Sequence, residues 1–228
     1  MRENDLMIIE RCIENKNEKL DVKEEPFEKL MFFYKSALKQ LELQMNIIKD
    51  EFKLIYNYDL IDHIDTRIKE PKSIVKKMEK KKYDKTYLNL IEKINDIAGI
   101  RIVCTLKDDI FFIRDLVKQM PDIHVLKEKD YVTNPKESGY SSYHMIVEVP
   151  VKLTQKTIYV KCEIQIRTLA MDFWASFEHK VKYKTKNDVN PKMSKELVSC
   201  AKMINKFDTK MINYKNAKLN FRFFDRNY

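Results

Sequence analysis

Glycine is nearly absent from this sequence. Gly99 and Gly139 are the only two in 228 residues, where average usage of ~7% would give about sixteen. A Walker A loop needs two glycines five positions apart, and a dinucleotide-binding loop needs three within six residues. The glycine-rich loop of protein kinases is excluded for the same reason. If the protein handles phosphate groups, side chains must therefore hold most of them.

Paired cysteines and long apolar runs are also missing. The four cysteines contain no Cys-x-x-Cys spacing, which argues against a zinc site and predicts reduced, mostly buried thiols. No apolar run approaches the ~20 residues of a membrane span, and the charged N-terminal residues do not resemble a signal peptide. With 44% hydrophobic and 35% charged residues, we expect a globular cytoplasmic protein that does not bind a membrane.

The net charge of +9 is unevenly distributed. Residues 67–95 and 180–228 are rich in lysine, whereas residues 1–66 carry more acidic than basic groups. Basic segments attract nucleotides, RNA or acidic lipid head groups. A lysine face that only meets solvent is the more common explanation for any single run, so charge alone does not identify a ligand.

Hydrophobic periodicity predicts an α+β protein whose centre is a mixed sheet of about five strands with flanking helices. A charged N-terminal arm (1–25) precedes this core, and a helical tail (186–228) follows it. Apolar residues recur every three or four positions from Phe27 to Ile55, which predicts one long helix packed on the core or on another subunit. Strands are predicted at 60–69, 99–106, 124–132, 141–151 and 157–167, and further helices from Pro71 and at 86–94, 108–119, 168–184 and 191–215.

The segment 158–167 alternates strictly between apolar and polar residues. Its even-numbered positions are apolar and fall on one face, while the other face presents Glu163, Gln165 and Arg167 in a row. A solvent-exposed face is the usual explanation for such a pattern. Here apolar sequence flanks the segment on both sides, as expected for a central strand. A second isolated acid, Asp96, also precedes a strong strand.

Two carboxylates on neighbouring strands suit Mg²⁺, which binds one or two carboxylates together with water and phosphate oxygens. Cations that could hold phosphate lie nearby in the sequence: Arg67, Lys69, Lys72, Lys76, Lys77 and Arg101. Downstream, Gly139 allows a tight turn before Tyr140, whose ring could stack on a base or pack on the sheet. Together these residues predict phosphoryl or nucleotidyl transfer.

Four segments resemble the synthetase domain of the RelA/SpoT alarmone synthetases. They are RIKEPKSIVKKMEKK (67–81), DIAGIRIVC (96–104), NPKESGYSSYH (134–144) and CEIQIRTLAMDFWASFEHKVKYK (162–184). The order matches that of the family, and the last segment is highly specific. No His-Asp dipeptide occurs, so the family's hydrolase signature is absent. The sequence is most similar to the small, RelQ-like members, and residues 26–185 are expected to form their nucleotidyltransferase-like synthetase domain.

The resemblance implies a diphosphate transfer. The pyrophosphate of ATP would pass to the ribose 3′-hydroxyl of GTP, GDP or GMP, which releases AMP and forms a guanosine polyphosphate, or alarmone. The family pattern assigns Asp96 and Glu163 to catalysis with Mg²⁺ as cofactor. Asp96 would bind the ion, and Glu163 would bind it as well or accept the proton of the 3′-hydroxyl.

The same resemblance assigns residues to each nucleotide. For ATP, Arg67 and Arg101 would sandwich the adenine, while Lys69 and Lys77 would hold the phosphates. For the guanine nucleotide, Tyr140 would stack on the base, and the groups around it would be Lys136, His144, Gln165 and Arg167. The family usually has arginine or glutamine after this tyrosine. Because Ser141 stands there instead, we expect an altered preference among GTP, GDP and GMP.

Two other functions compete with this one. One is a single-stranded RNA-binding regulator with a degenerate synthetase domain, and the intact Asp96, Glu163, Arg67 and Tyr140 argue against it. The other is a different nucleotidyltransferase, but those enzymes usually place paired acids one residue apart on a strand near a Gly-Ser turn, and this sequence lacks that arrangement. Small family members form tetramers through their terminal helices, so we expect a homotetramer. Single-stranded RNA is a candidate additional partner.

Overall fold

The computed structural model describes residues 18–184 and 190–218. In chain order the elements are α1 (Glu25–Ile55), β1 (His63–Ile68), α2 (Pro71–Lys80), α3 (Tyr87–Lys93), β2 (Ala98–Cys104), α4 (Lys107–Gln119), β3 (His124–Asp130), β4 (Tyr143–Lys152), β5 (Thr157–Thr168), α5 (Leu169–Lys184) and α6 (Pro191–Lys218). Every helix and strand predicted for these residues is present, with bounds that differ by a few residues. The predicted arm lies mostly outside the described residues, as does the end of the tail.

The five strands form one mixed sheet in the order β1-β2-β5-β4-β3. Strand β5 is parallel to β2 and antiparallel to β4, and the two outer pairs are antiparallel. The sheet is therefore mixed and five-stranded, as predicted, and β5 is its central strand. This position explains why one face of β5 is entirely apolar and why the residues on its other face have neighbours on both sides.

Helix α1 supplies the main cover of the sheet, packing on β1, β2, β4 and β5. Its buried side chains include Phe27, Leu30, Met31, Phe33, Tyr34, Ala37, Leu38, Leu41, Met45 and Phe52. On β5, the even-numbered residues from Ile158 to Ile166 are at most 2% exposed. Burial of each large apolar side chain stabilises the fold by about 1.5–3 kcal/mol. Most of the predicted stripe on α1 is thus occupied by the sheet.

Helix α6 packs against α5 through a second, smaller cluster of buried residues formed by Trp174, Ala175 and Leu197. Cys104 and Cys162 are buried free thiols, as predicted, whereas Cys200 is exposed and Cys12 lies outside the described residues. In the part of the chain that the structure describes, no helix has the length and apolar character needed to span a membrane.

Candidate active site

The polar face of β5 is continued by residues of the adjacent strands. Gly99 of β2 pairs with Glu163, and His144 of β4 pairs with Gln165. Asp96 precedes β2, and its carboxylate lines the same cleft as that of Glu163. The parallel pairing of β2 with β5 therefore brings together two acids that are far apart in the sequence.

Asp96 is held by the two lysines that the sequence analysis assigned to ATP phosphates. Lys77 Nζ lies 2.7 Å from Oδ1, and Lys69 Nζ lies 2.9 Å from Oδ2. Burial on its own would raise the pKa of Asp96, but the hydrogen bonds and charges of the two lysines outweigh it, so the pKa lies below its ordinary value. Asp96 is therefore ionised at neutral pH.

Glu163 is only 15% exposed and has two partners. Gln165 Nε2 donates to Oε2 at 2.9 Å, and His144 Nδ1 lies 3.3 Å from Oε1. Burial and the charge of nearby Asp96 act to raise the pKa of Glu163, but the contacts with His144 and Gln165 outweigh them and lower it. Both carboxylates are thus charged in the same cleft.

Five side chains, including that of Glu163, form a closed ring of hydrogen bonds. Gln165 donates to Glu163, and Arg167 Nη2 donates both to Gln165 Oε1 at 2.8 Å and to the Tyr140 hydroxyl at 2.6 Å. The Tyr140 hydroxyl lies 2.8 Å from His144 Nε2, and His144 completes the ring at Glu163. The candidate base is therefore connected to the candidate stacking residue through His144.

Cations already contact the ring of Tyr140. Lys136 Nζ lies 4.7 Å from the ring centroid, and Arg167 Cζ lies 5.1 Å from it, both within cation–π range. Lys136 also lies 4.6 Å from the ring centroid of Tyr131. A base that stacks on Tyr140 must therefore compete with these two side chains for the ring.

The cleft has a volume of about 460 Å³, and lysines dominate its lining. We call it the lysine cleft; its lysines are Lys77, Lys81, Lys93, Lys127, Lys129 and Lys136. Lys77 and Lys136 are predicted from the sequence, whereas Lys81, Lys93, Lys127 and Lys129 are not. Lys127 and Lys129 are two residues apart on β3, so their side chains lie on the same face of the strand. This spacing could have been recognised in the sequence. Clustered ammonium groups suit phosphate, because lysine acts as a point charge for it.

A second recess lies beside the lysine cleft, where Arg67 and Arg101 flank Gly99. Arg67 pairs with Gly99 across β1 and β2, and Arg101 is two residues further along β2, so the three share one face of the sheet. A Cβ at Gly99 would lie 3.9 Å from Arg67 Cγ. The missing side chain leaves open surface between the two guanidinium groups.

Asp172, in the first turn of α5, joins the two predicted nucleotide sites and was not singled out from the sequence. Its Oδ1 lies 3.3 Å from Arg101 Nε and accepts a hydrogen bond from Arg167 Nη1 at 3.0 Å. Arg101 also lies 3.5 Å from Asp65. One carboxylate thus orients an arginine from each predicted site.

Ser141 does not line the lysine cleft. Its hydroxyl donates to the Tyr131 carbonyl at 2.9 Å, and the residue lines a small cavity with Met171 and Trp174. The Ser141 hydroxyl is therefore bonded to the protein backbone, and the effect of position 141 on the choice of acceptor stays a prediction. The sequence could not show this, because the side chain of a serine in a loop can face either the cleft or the protein.

The two carboxylates fit a divalent cation that takes its other ligands from outside the protein. Among residues 18–184 and 190–218, no group of three or more His, Cys, Asp or Glu side chains could hold a metal ion by itself. Mg²⁺ needs only one or two carboxylates when water and phosphate complete its coordination. Asp96 and Glu163 supply that donor set in ionised form.

The sequence matches a known protein family. Residues 66–188 match the region found in RelA / SpoT proteins. The chain belongs to the RelA/SpoT family. Among relatives, GTP pyrophosphokinase YwaC of Bacillus subtilis is 44% identical over 185 residues, which cover 81% of this RelA/SpoT-family chain and 88% of that protein.

Solved structures of small alarmone synthetases share the fold of this RelA/SpoT-family protein. Small alarmone synthetase 2 from Bacillus subtilis aligns with a TM-score of 0.76 and 41% identity, covering 83% of this chain and 98% of that one. Small alarmone synthetase 1 from the same organism, bound to its product pppGpp, aligns with a TM-score of 0.79 and 30% identity, covering 86% of this chain and 100% of that one. The predicted family and fold are therefore confirmed.

Proposed function

We propose that this protein is a guanosine polyphosphate synthetase. It transfers the pyrophosphate of ATP to the 3′-hydroxyl of GTP, GDP or GMP and releases AMP. The observation that carries the proposal is the pair of ionised carboxylates, Asp96 and Glu163, in a lysine-lined cleft beside Tyr140. Residues 26–185 form the synthetase domain in this proposal, and the protein works in the cytoplasm, where both nucleotides are available.

Arg67 and Arg101 bind the adenine of ATP between them. Guanidinium groups are planar and stack well on aromatic rings, and Gly99 leaves the surface between the two arginines open. Lys69 and Lys77 hold the ATP phosphates. Because both lysines pair with Asp96 in the structure, phosphate groups compete with the Asp96 carboxylate for them.

Tyr140 stacks on the guanine base, and Lys136, His144, Gln165 and Arg167 surround the acceptor nucleotide. Stacking on an aromatic side chain is worth about 1–3 kcal/mol per base. The arriving base displaces Lys136 or Arg167 from the tyrosine ring. Displacement of Arg167 rearranges the hydrogen-bonded ring, and Arg167 is connected to Glu163 through Gln165.

Glu163 accepts the proton of the ribose 3′-hydroxyl during transfer. A bond forms between the 3′-oxygen and the β-phosphorus of ATP, while the bond from that phosphorus to the oxygen of the α-phosphate breaks and AMP leaves. The lowered pKa of Glu163 keeps it in the proton-accepting form at neutral pH. His144 and Gln165 hold the carboxylate in place.

Asp96 and Glu163 also hold Mg²⁺ in this proposal. When bound, the ion supplies positive charge that stabilises the negative charge on the transferring phosphates. The remaining charge stabilisation comes from the chain itself, through Lys69, Lys77 and the lysine cleft. This distribution agrees with the scarcity of glycine, since side chains rather than a backbone loop hold the phosphates.

The test is a reaction with ATP, Mg²⁺ and each of GTP, GDP and GMP, followed by chromatographic separation of the nucleotides. The expected result is one AMP for each guanine nucleotide that gains a 3′-diphosphate. A control without the guanine nucleotide should yield no AMP above background. An RNA-binding regulator with a degenerate synthetase domain would yield neither product, so that outcome contradicts the proposal.

We also propose a homotetramer that uses the outer side of α1. Four apolar side chains on one side of the helix are each at least half exposed. They are Phe32, Leu43, Ile47 and Leu54.

Single-stranded RNA is a second ligand for the basic surface in this proposal. Filter binding at increasing salt concentration tests this proposal. When basic side chains neutralise RNA phosphates, the affinity for RNA falls steeply as the ionic strength rises.

A further inference from the structure

Helix α6 presents one face to the acceptor side of the active site. Leu197, Ala201, Ile204 and Asp208 follow one another at steps of four, three and four residues, so they lie on the same side of the helix. Leu197 and Asp208 are buried. Ala201, Ile204 and Tyr140 all pack against the second hydrophobic cluster, which contains Leu197 and Trp174. The tail helix therefore contacts the neighbourhood of the predicted guanine platform.

The close approach of Ala201 leaves no room for a side chain at Gly139. Gly139, directly before Tyr140, has φ +90°, which L side chains rarely adopt. A Cβ built on Gly139 would lie 2.5 Å from the Ala201 Cβ and 3.6 Å from the Val198 Cα. The loop thus requires glycine at 139, and the helix requires a small side chain at 201.

Backbone hydrogen bonds link Gly139 to two acceptor-site residues. The Gly139 N–H donates to the Lys136 carbonyl at 2.7 Å, and the Lys136 N–H donates to the Tyr140 carbonyl at 3.0 Å. These bonds close residues 136–140 into a tight turn. A displacement at Gly139 therefore moves Lys136 and Tyr140 together.

A second contact ties α6 to the end of β5. The hydroxyl of Thr168 donates to Asp208 Oδ2 at 2.8 Å, with both residues buried. Thr168 directly follows Arg167, which donates to the Tyr140 hydroxyl. The indole N–H of Trp174 also donates to the Leu197 carbonyl at 3.0 Å. Helix α6 thus contacts two segments next to Tyr140: the turn 136–140 and the end of β5.

We propose that α6 positions the acceptor-binding residues, with Ala201 setting the turn that carries Lys136 and Tyr140, and Asp208 setting the end of β5 that carries Arg167. Both are positioning residues, since they act through other side chains. The inference rests on the proposed function, in which Tyr140 stacks on guanine. The residues proposed for ATP lie on β1, on α2 and around β2, so α6 should affect the acceptor selectively.

The main test is Ala201→Leu. The larger side chain must push the turn away from α6, and a misplacement of ~1 Å can cost on the order of 10²-fold in rate. We expect kcat/KM for the guanine nucleotide to fall at least about ten-fold, while KM for ATP stays close to the wild-type value. Cys200→Leu, at the exposed neighbouring position, is the matched control, and Ala201→Ser should retain activity because it remains small.

Trp174, the sole tryptophan of the chain, reports whether α6 is still docked, since a lost contact with Leu197 shifts its emission towards longer wavelength. If Ala201→Leu undocks the tail, Asp208→Ala provides the second test. It should weaken acceptor binding in the same selective way, and Asp208→Asn should restore it, because the amide oxygen can accept the Thr168 hydrogen bond.

Calorimetry with the guanine nucleotide and with a non-hydrolysable ATP analogue separates this inference from the proposed function. Selective loss of guanine nucleotide affinity in Ala201→Leu or Asp208→Ala supports the positioning role. Equal losses of both affinities, or wild-type values for both, overturn it. A wild-type protein that forms no guanosine polyphosphate contradicts the proposed function instead, and the two affinities still decide the role of α6.

Discussion

Replacing Glu163 by glutamine removes the proposed base while its size and shape are conserved. The fold should survive, because Gln165 can still donate to the amide oxygen at this position and the apolar face of β5 is unchanged. Loss of a general base typically lowers the rate by ~10²–10⁴-fold, which corresponds to about 2.7–5.4 kcal/mol of activation free energy. The loss of a carboxylate that binds Mg²⁺ should lower the rate further.

The assay measures the initial rate of guanosine polyphosphate formation at saturating ATP and acceptor, over a series of Mg²⁺ concentrations. Glu148→Gln is the matched control, since Glu148 is a buried glutamate on the adjacent strand β4 that does not line the lysine cleft. We expect this control to turn over normally. Rates within a few-fold of wild type in Glu163→Gln would refute the role of Glu163 as base. Full recovery at high Mg²⁺ would show that it only binds the metal.

The pH dependence provides an independent check of the same residue. The pKa of Glu163 is lowered because its contacts with His144 and Gln165 outweigh its burial. The carboxylate is therefore the active, ionised form at all pH values above its lowered pKa, and kcat/KM should fall only as the pH drops through it. A loss of activity that begins near neutral pH and that Glu163→Gln abolishes would mean that the pKa is raised instead.

Three further results are expected. Arg67→Ala should weaken ATP binding and leave acceptor binding nearly unchanged, as measured by calorimetry; equal losses would mean that Arg67 is structural. Light scattering at micromolar concentration should give the mass of a tetramer, and Ile47→Glu should reduce that mass; a monomeric wild type contradicts the assembly. Ser141→Ala should leave the order of preference among GTP, GDP and GMP unchanged, because the Ser141 hydroxyl donates to the Tyr131 carbonyl; a changed order would show that it contacts the acceptor.

The elements of the fold were predictable because their sequences carry strong periodic signals. Strict alternation in 158–167 predicted both faces of β5, and its apolar flanks predicted a central position, which the strand order confirms. The stripe on α1 predicted a long helix but left open whether it packs on the core or on another subunit. Only the three-dimensional contacts show that the sheet occupies most of it.

The parts of the site that could not be predicted depend on side-chain direction and on distant segments. Ser141 could have faced either the cleft or the protein. Lys93 lies in a short helix whose polar positions all look alike in the sequence. Asp208 belongs to a highly charged tail, and nothing local distinguishes it from its exposed neighbours, although it is buried against Thr168. Such residues become visible only when the elements are assembled.

The charged side chains of the candidate site are paired with one another, which bears on how substrates would bind. Lys69 and Lys77 neutralise Asp96, and Asp172 lies against both Arg101 and Arg167. Removing one partner of a pair that is shielded from water is unfavourable when the other charge is left alone. Phosphate groups that bind Lys69 and Lys77 would leave the Asp96 carboxylate without a partner. This separation is less unfavourable if another cation binds the carboxylate. For the proposed function, we therefore expect ATP and a divalent cation to bind more tightly together than either one does alone.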